Sequence, residues 1–182
     1  MNIRSAVIEG ANILKNSYIQ TAQLDTEILM AKVLCSNREY IILNNHKDLN
    51  DNNLEYFKRL IRERANRKPI AYLLNKKFFW DSEFYVNKNT LIPRPDTEVI
   101  IEEILRLTKH KNKLNILDIG VGSGCILLTI LKERKNFYGT GIDISKKSLD
   151  ISKINAKNLN VDERTKFYKS DIDKFAQGKY DM

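Results

Sequence analysis

Two cysteines, two histidines and one tryptophan in 182 residues leave little material for metal or thiol chemistry. Cys35 and Cys125 are far apart with no CxxC pair, and His46 and His110 lie in polar, Asn- and Lys-rich surroundings, so no zinc or redox-thiol site can be assembled from these spacings. Each cysteine is expected as a buried thiol in a helix. No apolar run approaches the ~18 residues that span a bilayer, and the opening MNIRSAVIEGANILKNSYIQ has no leader-like apolar stretch; the chain reads as cytoplasmic, with no membrane partner. There are three prolines, at 69, 93 and 95, and no internal repeat or low-complexity tract. Glycine is scarce too, but three of the seven glycines fall between positions 120 and 124.

What the chain does have is 42% apolar residues, enough for a packed core, and a formal charge of +8 with a pI near 9.4. Lys, Asn and Ile are abundant almost everywhere, so much of the basicity is compositional. Residues 1–75 show helical periodicity and almost no strand signal, which predicts a small helical bundle. In QLDTEILMAKVLC the residues Leu24, Ile28, Ala31 and Cys35 recur at the spacing of one buried helix face. A second helix is predicted over Asn53–Asn66, with Leu54, Phe57, Leu60 and Ile61 as its apolar stripe. Between positions 58 and 77 eight basic residues (Lys58, Arg59, Arg62, Arg64, Arg67, Lys68, Lys76, Lys77) meet one acid, Glu63. That bias suits an anionic partner or simply a solvated helix face.

Residues 76–97, KKFFWDSEFYVNKNTLIPRPDT, are aromatic and partly alternating, and read as a hairpin or linker. Pro93 and Pro95 hold LIPRP extended, and Asp96 or Thr97 can cap the helix that begins at Glu98. Residues 98–182 then alternate: helix 98–109, strand 114–119, glycine turn, helix 123–134, strand 138–143, helix 145–159, strand 166–170. Such alternation means a parallel sheet with crossover helices.

The strongest local signal is NILDIGVGSGCILLTIL, a buried strand running through Gly120, Gly122 and Gly124 into an apolar helix. Glycines there let the backbone turn sharply and approach a ligand, and the helix N-terminus offers free N–H groups. The dinucleotide fingerprint G-x-G-x-x-G is not met, because Cys125 stands where its third glycine belongs; that favours a ligand without a pyrophosphate. The second strand ends in Asp143, whose carboxylate can accept both ribose hydroxyls of a nucleoside, and the third ends in Ser170-Asp171 near an adenine edge. Together these residues suit S-adenosylmethionine, with Asp118 or its neighbours available to orient the methionine ammonium.

With LDTEILMAKVL, KPIAYLLNKKFFWDSEFYVNKNTLIPRPDTE, LDIGVGSGCILLTI, GIDISKKSLDISKINAKN and KSDI in order, nearly the whole chain resembles the release-factor glutamine methyltransferases. These enzymes methylate the glutamine of the GGQ motif in class 1 peptide chain release factors. The pentad Arg94–Glu98 separates the resemblance from the ribosomal-protein glutamine methyltransferases. It implies an α/β chain: a small helical bundle that docks the substrate, then the first half of a Rossmann-like methyltransferase domain. It also implies S-adenosylmethionine as cofactor and class 1 release factors as partners, without direct sequence-specific nucleic-acid binding. By resemblance Gly120, Val121, Gly122, Ser123 and Gly124 form the cofactor loop, Asp143 is the ribose acid, and Asp171 with Ile172 forms the adenine side, an aliphatic contact standing where the family often stacks a ring. Arg94, Thr97 and Glu98 lie in the motif that closes over the cofactor, although capping and charge-pairing of the helix at 98 fit them equally. No metal is implied.

The resemblance places Asn-Pro-Pro-Tyr, which holds the substrate glutamine, on the strand that KYDM would begin, and the motif is absent from these 182 residues. No catalytic residue is therefore assigned. The chain by itself is expected to be a truncated, inactive form, its first parallel strand an open edge. Two other readings stay open: a non-catalytic module that binds the cofactor or a release factor, and a nucleic-acid amino-methyltransferase, against which the RPDTE linker argues.

Overall fold

Asparagine starts three helices of the N-terminal unit. The side-chain oxygens of Asn2, Asn37 and Asn50 accept the N–H groups of Ser5, Tyr40 and Asn53 at 2.8, 2.9 and 2.8 Å, capping α1 (Ile3–Asn16), α3 (Arg38–Leu43) and α4 (Asp51–Ala65). The computed structural model describes residues 1–182, which divide into two units, Met1–Leu74 and Asn75–Met182. No helix in either is long and apolar enough to cross a membrane.

In the first unit α2 (Ala22–Val33) and α5 (Ile70–Leu74) join the three capped helices around Ile3, Val7, Leu14, Leu29, Met30, Phe57, Leu60, Ile61 and Leu73. Gly10 is the point of closest approach, since a Cβ there would meet Thr26 Cγ2 at 3.0 Å and Phe57 Cζ and Ile61 Cδ1 at 3.1 Å. The stripe expected on α4 is present, with Phe57, Leu60 and Ile61 buried and Leu54 half-buried.

The face expected on α2 is not the one it buries. Leu24 is 40% exposed and Cys35 lies exposed beyond the helix end in a left-handed conformation, φ 47°. The buried side runs through Ala22, Asp25, Thr26, Leu29, Met30 and Val33, centred one position round from the expected stripe, of which Ala31 is buried as well and Ile28 half-buried. The reason is a charge in the core: Asp25 Oδ2 accepts from Arg64 Nε at 2.7 Å, and the Thr26 hydroxyl donates to the Ala22 carbonyl at 2.7 Å. With their polar atoms paired, these two side chains can take positions that periodicity reserves for hydrocarbon.

The second unit opens with an antiparallel hairpin, β1 (Lys76–Phe79) and β2 (Ser82–Tyr85), turning at Trp80, φ 56°. Phe79, Phe84 and Val86 are buried beneath it. Next come α6 (Glu98–Leu107), β3 (Asn115–Ile119), α7 (Cys125–Glu133), β4 (Tyr138–Asp143), α8 (Lys146–Asn158) and β5 (Thr165–Lys169), with β3, β4 and β5 side by side and parallel. Residues 127 to 131 of α7 are all buried, as a run of leucines and isoleucine interrupted only by Thr129 requires. Its leucines lie directly on the β4 backbone: a Cβ at Gly139 would stand 2.6 Å from Leu127 Cδ1.

Three ties hold the hairpin turn. The Trp80 N–H donates to Glu98 Oε1 at 2.8 Å and its indole to Glu133 Oε1 at 2.9 Å, while Lys132 reaches Asp81 at 2.8 Å. Glu98 is therefore a brace between hairpin and α6. Neither Asp96 nor Thr97 caps α6 with its side chain, because a 3-10 turn over Pro95–Thr97 leads into the helix.

The β3 edge also departs from expectation. Asp181 N–H donates to the Asn115 carbonyl, Asn115 N–H to Asp181 Oδ2 and Leu117 N–H to the Met182 carbonyl, each at 2.8 Å, so the first half of β3 is paired on its outer side.

Candidate cofactor site

At the carboxyl end of β3 the chain makes a loop in which Gly120, Gly122 and Gly124 have φ of 77, 56 and 83°. Any L side chain would be strained at these values, which explains three glycines where the rest of the chain has few. Gly120 and Val121 donate their N–H groups to the Ile142 carbonyl at 2.9 and 3.0 Å, and Gly124 N–H closes onto the Val121 carbonyl at 2.7 Å. A Cβ on Gly120 would meet nothing within 4 Å. The glycine there thus borders open space.

Asp143, at the end of β4, faces this loop. Its Oδ2 accepts the Gly122 N–H at 3.1 Å and its Oδ1 the Ser145 N–H at 2.8 Å, which fixes the carboxylate while a lone pair on each oxygen remains for a ligand hydroxyl. Ser170 N–H donates to the Asp143 carbonyl at 3.2 Å and brings the end of β5 alongside. Asp171 and Ile172 follow it, both exposed, with Ile172 at 53%. Gly120, Val121, Gly122, Ser123, Gly124 and Asp143 are thus gathered by direct hydrogen bonds or loop continuity, and Asp171 and Ile172 adjoin them through the chain.

Beneath the loop sits Asp118. Its burial, helped by the nearby Asp143 charge and opposed by the Leu127 N–H, pushes its carboxyl up to about 6. Burial likewise raises the Cys125 thiol. The Arg94 carbonyl accepts the Thr97 N–H at 3.0 Å, Arg94 is exposed and Glu98 holds Trp80, so no hydrogen bond joins these three to the glycine loop. A groove of about 540 Å³ at the other end of the strands, among Asn115, Tyr138, Lys166 and Tyr180, is not lined by loop residues.

Sequence reasoning missed a stripe of α8. Ser148, Ser152 and Asn155, at i, i+4 and i+7, are all buried and turned inward. Ser152 donates to the Gly122 carbonyl at 2.7 Å and Asn155 to the Ser123 carbonyl at 2.8 Å. Three polar residues at helical spacing read as a solvent face; the distant carbonyls they bind, Asn89 for Ser148 and the loop for the other two, reverse that reading.

Known proteins align with both units. The PrmC N-terminal domain model matches residues 5–74, and a methyltransferase domain model matches residues 109–182. A release factor glutamine methyltransferase of Clostridium acetobutylicum is 34% identical over 172 residues, 94% of this chain and 60% of that protein. One of Leptospira interrogans is 36% identical over 173 residues, again 94% and 60%, and one of Buchnera aphidicola subsp. Baizongia pistaciae is 41% identical over 138 residues, 76% and 50%. The chain thus spans at most 60% of the length of these relatives. By these matches residues 5–74 are similar to the PrmC N-terminal domain and residues 109–182 to a methyltransferase domain, and the chain is similar over most of its length to the release factor glutamine methyltransferases.

Proposed function

We propose that this chain supplies the S-adenosylmethionine site, and the release-factor docking unit, of an activity that methylates the side-chain amide of the GGQ glutamine. The observation that carries the reading is the Asp143 carboxylate, fixed by two backbone N–H groups beside three left-handed glycines at the carboxyl ends of parallel strands. Parallel α/β sheets bind ligands at that end.

In this reading Asp143 accepts the two ribose hydroxyls on its remaining lone pairs. Gly120 lets the nucleoside lie against the backbone, and Ile172, exposed after β5, gives the adenine an aliphatic contact beside Asp171. The charged form of Asp118 holds the methionine ammonium. The cofactor, when bound, supplies a methyl group made electrophilic by its sulfonium. A glutamine amide is a weak nucleophile, so its methylation depends on positioning more than on acid or base. The Asn-Pro-Pro-Tyr sequence tied to that positioning by resemblance does not occur among these residues, and the assignment here stops at the cofactor.

The docking role falls to the helical unit, where Arg62 on α4 is exposed. Three of the eight basic residues between 58 and 77 already have acidic partners: Arg64 with Asp25, Lys68 with Glu63 and Lys76 with Glu83. That leaves a smaller basic surface than the sequence alone suggests.

Titration calorimetry of the chain with S-adenosylmethionine tests the cofactor reading. Asp143→Ala is expected to weaken binding by roughly 1–3 kcal/mol, the cost of unpairing buried hydrogen-bond groups. Equal affinity of variant and parent would remove Asp143 from the site.

A further inference from the structure

Planar trans peptides make a carbonyl and the following N–H point in opposite directions. In the glycine loop two successive carbonyls, of Gly122 and Ser123, are drawn onto α8 by Ser152 at 2.7 Å and Asn155 at 2.8 Å. The Ser123 N–H is therefore turned away from α8, and it has no acceptor within the protein. The Asn155 amide has one possible orientation, because its Oδ1 accepts the Tyr85 N–H at 2.7 Å while its Nδ2 donates to both the Tyr85 carbonyl at 3.0 Å and the loop. Ser152 and Asn155 are fully buried, at 0% exposure.

We propose that Ser152 and Asn155 are positioning residues for cofactor binding: they touch no ligand, but set the peptide planes of Gly122–Gly124 so that the Ser123 N–H faces the nucleoside, and Asn155 registers the hairpin at Tyr85 against that same loop. The inference rests on the cofactor reading of the site. Without these two donors the Gly122 and Ser123 carbonyls lose their partners on α8, and the glycines, free to adopt many backbone conformations, are held only by the N–H bonds to Asp143, Ile142 and Val121. Ser148 provides the contrast, since its hydroxyl goes to the Asn89 carbonyl at 2.9 Å and not to the loop.

The test compares Ser152→Ala and Asn155→Asp with Ser148→Ala and with Leu149→Ala, a core variant on the same helix, at a temperature where circular dichroism shows all four folded. Asn155→Asp keeps the acceptor for Tyr85 and loses both donors. S-adenosylmethionine affinity is expected to fall about tenfold in Ser152→Ala and Asn155→Asp, as for one lost hydrogen bond, and to stay at the parent value in the other two. Amide hydrogen exchange at Gly122 and Gly124, whose N–H groups are bonded to Asp143 and the Val121 carbonyl, is expected to quicken in the first pair only, with the β3–β4 ladder unchanged. Parent affinity and parent loop exchange in Ser152→Ala and Asn155→Asp would overturn the proposal, as would equal losses in all four variants. A parent that binds no S-adenosylmethionine would sink the cofactor reading, and with it the ligand part of this inference, while loop exchange would still show whether the two side chains set the loop.

Discussion

Replacing Arg64 by methionine should damage the helical unit far more than the loss of one surface charge. Asp25 is 4% exposed, and its partner contacts it at 2.7 Å with the guanidinium side chain only 17% exposed. With charge centres ~4 Å apart and an effective dielectric near 20, the attraction is about 4 kcal/mol. Methionine keeps the apolar stem and removes the charge, so the carboxylate is stranded between α2 and α4, a situation that costs roughly 3–5 kcal/mol. Urea denaturation followed by far-ultraviolet circular dichroism at neutral pH measures this directly. The Arg64→Met deficit should be about 3–5 kcal/mol. The double variant Asp25→Leu/Arg64→Met should recover most of the loss, because apolar groups of similar volume replace a buried pair at little net cost. A single variant within about 1 kcal/mol of the parent, or a double variant no more stable than the single, would refute the claim that this pair is buried and mutually dependent.

Asp118 gives two pH dependences of opposite sign. Its carboxyl, raised by burial from 3.8 to about 6, makes the folded state the tighter proton binder. That contributes about 3 kcal/mol of stability below pH 4, lost as the pH rises through about 6. Cofactor affinity should run the other way, full above pH 6 and falling up to about tenfold per pH unit below it. Asp118→Asn should flatten both profiles, and a parent affinity unchanged between pH 7 and 5 would separate Asp118 from the ammonium. On the docking unit, Arg62→Glu with Arg67→Glu should slow association with a release factor and reduce its salt dependence. Stopped-flow rates equal to the parent's at low ionic strength would return both residues to the solvated face, a fair outcome for Arg67, whose Nη1 already donates to the Tyr18 carbonyl at 3.3 Å.

The βα alternation was legible because most of α7 is an apolar run and the helices and strands have sharp ends, and strand β4 falls at the predicted Tyr138–Asp143. The glycine loop was legible because positive φ at 120, 122 and 124 leaves glycine little competition. What failed is the assumption that a polar side chain faces water. Asp25 shifted the buried face of α2 by one position, and Ser148, Ser152 and Asn155 hid the inner side of α8. In each case the compensating partner is distant in sequence, Arg64 for Asp25 and the 122–123 carbonyls for α8, so no local window contains the pair. The pairing of Asp181 and Met182 with β3 is non-local in the same way.

Trp80, the single tryptophan of the chain, gives the molecule an optical asymmetry. Its indole is half-buried and tied to α7 through Glu133, while its backbone is tied to α6 through Glu98. Emission excited at the red edge of the absorption band therefore comes entirely from the second unit and tracks the seating of its hairpin. The first unit is dark at that wavelength and, with five of the eight α-helices, contributes the larger share of the ellipticity near 222 nm. A melt recorded at both wavelengths thus separates the two units within one intact chain, with no label and no proteolysis.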